Sequence, residues 1–278
     1  MPAMNQLSIR PLTPTVGAEI AGIDLRRALS HEQVDAVEEA LLAHGAVFFR
    51  DQDITPEQQL AFARQMGPVS IPPFAPEVGS DPELIVLDQN SPKGEGPREW
   101  HSDNTFMAEP PMGSILKAVA LPTYGGDTCF ASMVAAYDAL SAPMKRLLDG
   151  LRAVHDITRA LQKAIDAGHS DANLAEVQAK WPPVTHPVVR THPITGRKAL
   201  FVNGNFTVRL VGLPPREDEL LLRFLIDHVR DPVFQCRFRW DLHSIAYWDN
   251  RAVQHYGVPD YAERRVMHRV TLAGDRPR

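Results

Sequence analysis

Phe234-Gln235-Cys236-Arg237-Phe238-Arg239-Trp240 alternates apolar and polar residues without a break. Successive side chains of a strand point to opposite faces, so this stretch reads as a half-buried strand. The same period of two runs through its surroundings. Val188-Val189-Arg190 and Ala199-Leu200-Phe201-Val202 flank the turn Pro193-Ile194-Thr195-Gly196 and read as a hairpin. Ile245 to Trp248 is another strand, turned by Asp249-Asn250, and Val266 to Leu272 is the last. One helix, Arg216 to Val229, breaks the series, with Leu220, Leu221 and Phe224 expected on its inner face.

The first half carries clear helix signals. Ser30 is a good N-cap, Gln33 completes a capping box, and Val34, Val37 and Leu41 share a face that ends at Gly45. Ala46-Val47-Phe48-Phe49 then reads as a buried strand. Thr55-Pro56-Glu57-Gln58 opens a second helix, with Pro at its first position, that runs to Met66 and stops at Gly67. Ser132 and Ser141 open two short helices before Gly150. Residues 161–180 are helical but loosely patterned, the expectation for a lid or insertion. Strands and helices do not alternate regularly, which disfavours a parallel Rossmann sheet. A mostly β fold is expected, a double-sheet jelly roll flanked by helices, over one domain spanning 1–278.

Composition narrows the function classes. At 278 residues the chain can bury a sizeable core. A net charge of -5 with no basic run argues against nucleic acid or an anionic membrane as partner. No apolar stretch reaches the roughly 18 residues that span a bilayer, and the N-terminus lacks a signal pattern. The expectation is a cytoplasmic enzyme. Two cysteines, Cys129 and Cys236, make no disulfide framework and read as buried free thiols.

The chemistry sits in two distant segments. Trp100-His101-Ser102-Asp103 puts an imidazole and a carboxylate two residues apart, on one face of an extended chain. Trp248-Asp249-Asn250-Arg251 leads to a second imidazole, His255. Two histidines and one carboxylate form a facial triad, the pattern of non-heme Fe(II) oxygenases, with positions left open for substrates. Gly125-Gly126-Asp127-Thr128 follows the first segment, and Arg264-Arg265-Val266-Met267-His268-Arg269 follows the second. Arg265 and Arg269 fall on one face of a strand about 13 Å apart, and either guanidinium can grip an anion bidentately. An ordinary ion pair with Glu263 or Asp260 is the plainer reading, and it suits the outward-turned Arg264 best. Met267 between the arginines is expected to pack the lumen, and Trp248 the core. Asp249 and Asn250 read as turn formers.

With these motifs in order, and with His186-Pro187-Val188-Val189-Arg190-Thr191-His192-Pro193 between them, the chain resembles the taurine/alpha-ketoglutarate dioxygenase (TauD/TfdA) family nearly end to end. The resemblance implies a double-stranded β-helix with Fe(II) at its mouth, held by His101, Asp103 and His255, and with 2-oxoglutarate and O2 as co-substrates. The family spacing selects His255 over His243 and His268; His268 falls on the strand face opposite the two arginines, and His186 and His192 read as structural. By the same resemblance Arg265 and Thr128 meet the far carboxylate of 2-oxoglutarate, and Arg269 the anionic group of the substrate. The family's taurine-binding positions fall at Pro72, Ala75, Pro97, Ala160 and Leu161, where this chain has small or apolar residues. A charged amine would be stranded there, at a cost of kilocalories. An apolar body with one anionic group is favoured: an alkyl sulfate, an alkylsulfonate or an aryloxyalkanoate. The product would collapse to an aldehyde or keto acid and a released anion. The rival readings are taurine dioxygenase proper, a Zn-type hydrolase on the same triad, or a non-catalytic binding protein. A homo-oligomer, dimer or tetramer, is expected.

Overall fold

The computed structural model describes residues 7–73, 82–90, 99–166, 168 and 170–278. The hairpin β1 (Ser8–Pro11) and β2 (Ala18–Ala21) leads into α1 (His31–His44). Ser30 and Gln33 form the expected capping box, and Gly45 ends the helix in the left-handed region at φ 70°. β3 (Ala46–Phe49) is buried throughout. α2 (Pro56–Met66) starts at a second capping box, Thr55 with Gln58, and stops at Gly67. Then come β4 (Val69–Ser70), β5 (Leu84–Gln89), β6 (Gly113–Ala120) and β7 (Thr128–Ser132). Ser132 and Ser141 cap the short helices α3 (Met133–Asp138) and α4 (Ala142–Leu148), as their hydroxyls predict.

β8 (Arg152–His155) precedes α5 (Thr158–Asp166) and α6 (Leu174–Lys180). The loosely patterned segment is thus two short helices, neither with a fully buried residue, and the first begins three residues before 161. β9 (Val184–Pro187), β10 (Val189–Thr191), β11 (Lys198–Leu200) and β12 (Thr207–Leu210) follow, with β10 and β11 paired as the expected hairpin. After α7 (Pro215–His228) the chain ends in β13 (Gln235–Phe238), β14 (Ile245–Asp249), β15 (Val253–Gly257) and β16 (Arg265–Leu272).

One sheet has eight strands in the order β1-β2-β3-β14-β6-β16-β4, with β5 also pairing β16. Its pairings are antiparallel except β2 with β3. β13, β7 and β15 form the facing antiparallel sheet. Alternation on the strands divides the core. Val47, Phe49, Ile115, Tyr247 and Val270 point outward under α1 and α2, while Ala46, Phe48, Leu116, Ala118, Trp248 and Met267 point inward. There they meet Phe130, Cys236, Phe238 and Trp240 of the facing sheet side. Phe48 stacks on Phe238 at 4.0 Å and meets the edge of Phe130 at 5.4 Å. Such pairs add about 0.5–1.5 kcal/mol each beyond their burial. Met267 and Trp248 are therefore lumen packing, as expected. The architecture is the double-sheet jelly roll. Among the described residues no helix is long and apolar enough to cross a membrane.

The inner face of α7 differs in part from the expectation. Leu221 packs half-buried on the core as expected and Leu222 and Leu225 are buried, whereas Leu220 is 64% and Phe224 43% exposed. Leu220-Leu221-Leu222 offers an apolar residue to every face of the helix, so periodicity alone could not choose the buried one. The neighbours chose: Leu222 and Leu225 pack with Leu148, Leu210 and Val229.

Candidate active site

His101 and His255 lie opposite each other in an isolated antiparallel bridge. The amide of His101 donates to the His255 carbonyl at 3.2 Å, and the His255 amide returns the bond at 2.9 Å. Their rings stand 4.5 Å apart, and the Nε2 atom of each is 3.8 Å from Oδ1 of Asp103. The three ligand atoms fall within 4.8 Å of one another. Donors about 2.1 Å from one ion lie roughly 3 Å apart, so a small closure would seat a single metal. Nδ1 of His101 sits 3.0 Å from the Glu99 carbonyl, which fixes its hydrogen there and leaves Nε2 bare for an ion. Among the described residues no other group of His, Cys, Asp or Glu clusters in this way. His243 sits instead 3.4 Å from Asp53, and His268 lies opposite Lys117 on the helix-facing side of β16.

The site is buried, and its charges are coupled. Burial alone would raise the Asp103 carboxyl; Arg269, then His255 and His101, and a hydrogen bond from Ser114 at 3.0 Å bring it down to about 2. The carboxylate is thus ionised and ready to ligate. Burial chiefly pushes His255 down to about 3, against the pull of Asp103, so its ring is neutral. Trp248 and Phe130 wall that ring at 4.6 and 6.1 Å.

Asp249 and Asn250 do more than turn the chain. Asn250 Oδ1 accepts the Asp103 amide, and its Nδ2 donates to the carbonyls of Asp103 and Pro111. Asp249 is buried and takes both arms of Arg251, at 2.8 and 2.7 Å, and His192 at 2.9 Å. Burial opposes its ionisation, but these partners hold it at about 2. His192 and His186 are structural, as expected: His186 Nε2 lies 2.9 and 3.0 Å from the carbonyls of Thr105 and Met107 and pins the loop after Asp103. The signal that could have exposed Asn250 is chemical: an amide both donates and accepts, and so can hold a passing backbone by both edges.

Deeper on the lumen face of β16, Arg265 donates from Nε to the Gly126 carbonyl at 3.1 Å. Its guanidinium lies 6.0 Å from the Trp240 ring and 5.9 Å from that of Tyr261. Burial lowers its pKa, and no carboxylate among the described residues is paired with it. Such a half-buried cation is suited to an incoming anion. Gly126 has φ 72°, which favours glycine, and a Cβ there would press on Arg265 Cδ at 3.0 Å. Asp260 accepts the Gly126 amide at 2.8 Å, and Arg237 braces Asp260 and Asp127 from outside. Thr128 is buried on β7, its hydroxyl accepting from the Trp240 indole at 3.0 Å.

Arg269 Nη2 is 3.3 Å from Asp103 Oδ2, so it stands beside the triad. Neither inner arginine makes the surface ion pair considered from the sequence. Arg264 does, turned outward, but with Asp88 rather than Glu263 or Asp260. Ala160 packs against a cluster of Phe106, Ile157 and Phe206, and Phe206 lies 6.5 Å from the His101 ring. Leu161 follows on α5, half-buried. Pro72 lines a cavity of about 120 Å³ with Asn104, Met107 and Pro111. Ala75 and Pro97 lie outside the described residues.

Comparison with known proteins agrees with this geometry. The model of the family "Taurine catabolism dioxygenase TauD, TfdA family" matches residues 8–271. An alpha-ketoglutarate-dependent sulfate ester dioxygenase of Pseudomonas putida is 37% identical over 99% of this chain and 92% of its own. An alpha-ketoglutarate-dependent 2,4-dichlorophenoxyacetate dioxygenase of Cupriavidus pinatubonensis is 36% identical over 95% and 97%. The crystal structure of a taurine dioxygenase from Burkholderia xenovorans superposes with a TM-score of 0.83, at 37% identity, over 98% of this chain and 90% of that one.

Proposed function

Because this chain belongs to the TauD/TfdA family of alpha-ketoglutarate-dependent dioxygenases, we propose that His101, Asp103 and His255 hold one Fe(II), and that Arg265 and Thr128 receive the far carboxylate of 2-oxoglutarate. The observation that carries this reading is Arg265, half-buried and with no carboxylate partner among the described residues, on the same strand face as Arg269, which touches the triad. Fe(II) with 2-oxoglutarate and O2 supplies the oxidation that hydroxylates a substrate carbon and yields succinate and CO2. The chain's own residues bind, orient and exclude water. Residues 1–278 act as one such domain, since β1 and β16 belong to the same sheet.

The substrate is a small organic anion with an apolar body: an alkyl sulfate, an alkylsulfonate or an aryloxyalkanoate. Arg269 holds the anionic head beside the metal. The body lies against Phe206, Phe106 and Ala160, the apolar wall next to His101. Hydroxylation of the carbon next to the heteroatom gives an unstable product, which collapses to an aldehyde or keto acid and frees the anion. Relatives named for sulfate esters and for 2,4-dichlorophenoxyacetate support this class. Taurine is disfavoured, because its ammonium would face that wall without a partner.

The test is succinate release over a panel of sulfate esters, sulfonates and aryloxy acids. His101→Ala, Asp103→Ala and His255→Ala are each expected to lose Fe(II) binding and turnover with the fold intact. Near-normal activity of the His255 variant would overturn the ligand set. A weak visible charge-transfer band on adding 2-oxoglutarate to the anaerobic Fe(II) protein separates this reading from a Zn-type hydrolase.

A further inference from the structure

Trp240 bonds one of the groups assigned to the co-substrate's far carboxylate, Thr128, and stands beside the other, Arg265. It lies two residues beyond β13, is buried, and packs edge-on against Phe238 at 4.9 Å. Phe238 is the register partner of Thr128 across the β13–β7 pair, so the indole reaches back over Thr128. Its Nε1 donates to Thr128 Oγ1 at 3.0 Å in a buried setting, and its ring lies 6.0 Å from the Arg265 guanidinium.

The polarity of this contact is fixed by chemistry. An indole N–H only donates, whereas a hydroxyl has one hydrogen and two acceptor positions. With one acceptor position filled by the indole, the Thr128 hydrogen cannot point at Trp240. It is left free to donate to a ligand. Arg265 is constrained in the same sense: its Nε is spent on the Gly126 carbonyl, and among the described residues its terminal N–H groups remain for a ligand. The subsite then presents hydrogen-bond donors, matched to an ionised carboxylate. A ligand group that must itself donate finds its partner turned the wrong way.

We infer that Trp240 is a positioning residue that sets the Thr128 hydroxyl as a donor and so makes the subsite select a carboxylate over a neutral carboxamide. The inference rests on the reading that Arg265 and Thr128 hold the far end of 2-oxoglutarate. It adds a discrimination between 2-oxoglutarate and its ω-amide, 2-oxoglutaramate.

The experiment is anaerobic calorimetry of both ligands against Mn(II)-loaded protein, which does not depend on turnover. Trp240→Phe keeps an aromatic face toward Arg265 and removes only the N–H. It should weaken 2-oxoglutarate about fivefold, with 2-oxoglutaramate nearly unchanged, so the preference ratio falls by the same factor. In a Thr128→Val background the Trp240 change should have no further effect within about twofold. Arg265→Gln and Thr128→Val each weaken 2-oxoglutarate if the underlying reading holds; no change in either overturns that reading. If both weaken binding but Trp240→Phe leaves the ratio unaltered, or lowers both ligands equally, the inference fails and the reading stands. Should Trp240→Phe not fold, benzothienylalanine placed at position 240 keeps the shape without the N–H and must give the same drop in ratio.

Discussion

Asn250 holds Asp103 by both edges of its main chain: Oδ1 accepts the Asp103 amide at 2.6 Å, and Nδ2 donates to the Asp103 carbonyl at 3.0 Å. The carboxylate of the triad is aimed by an amide from the other half of the sequence. Asn250→Ala removes both bonds and a third to Pro111. Three buried backbone groups are then unsatisfied, at a cost on the order of 3 kcal/mol. Fe(II) affinity should fall roughly 10–100-fold, as for other supports of metal ligands. Fe(II) titration with thermal unfolding reads both quantities, and unchanged metal affinity would count against the positioning role.

Arg265→Ala should act chiefly on the co-substrate. Loss of a buried, charge-assisted contact costs about 2–4 kcal/mol. Titration of 2-oxoglutarate at saturating substrate measures it. If substrate affinity collapses and the co-substrate requirement hardly moves, the roles of Arg265 and Arg269 are exchanged.

Chain length probes the apolar wall. Each methylene added to an alkyl sulfate or sulfonate should strengthen binding by up to about 0.8 kcal/mol until the space beside Phe206 and Ala160 is full. Taurine should be poor. Taurine winning the series would mean that polar groups complete the pocket.

Protonation of the loop supports sets an acid limit. Burial lowers His186 to about 4, and burial together with His186 lowers His155 further from its ordinary value. Both rings are neutral when folded but take a proton near pH 6.5 when unfolded. Their contribution is therefore full above about pH 6.5 and is lost as the pH falls toward 4. For His186 alone the loss is on the order of 3 kcal/mol. Urea midpoints of the metal-free protein at pH 7.5 and 4.5 should differ less in His186→Gln than in the parent, and equal differences would reject the assignment.

On α7 the two leucine classes should separate. Leu225→Ala opens a cavity in a fully buried position and should cost about 2–5 kcal/mol. Leu220→Ala, at an exposed position, should stay within about 0.5 kcal/mol. Chemical denaturation distinguishes them, and equal losses would contradict the observed rotation of the helix.

Caps and strands were legible because their signals are local. Ser30, Thr55, Ser132 and Ser141 each bond an amide three residues away, so neighbouring sequence suffices to predict them. His101, Asp103 and His255 were legible through spacing and family pattern, and the fold brings their side chains together. Three features were hidden for different reasons. The face of α7 was masked by consecutive leucines. Asn250 looked like a turn residue because its partner Asp103 is 147 positions away. Trp240 matched the alternating strand so well that packing explained it fully, and only its distance to Thr128 reveals the polar end.

The paired backbone bonds between His101 and His255 hold the two imidazoles side by side. The three donor atoms lie within 4.8 Å of one another, so any first-row divalent cation that enters meets the same three donors. For such a donor set affinity rises from iron through cobalt and nickel to copper. Occupancy is then decided by supply rather than by fit. Protein purified over a nickel column is expected to carry nickel and release no succinate, which metal analysis alongside the assay checks. Stripping the ion and reloading with ferrous salt under reductant is the step on which every activity measurement depends.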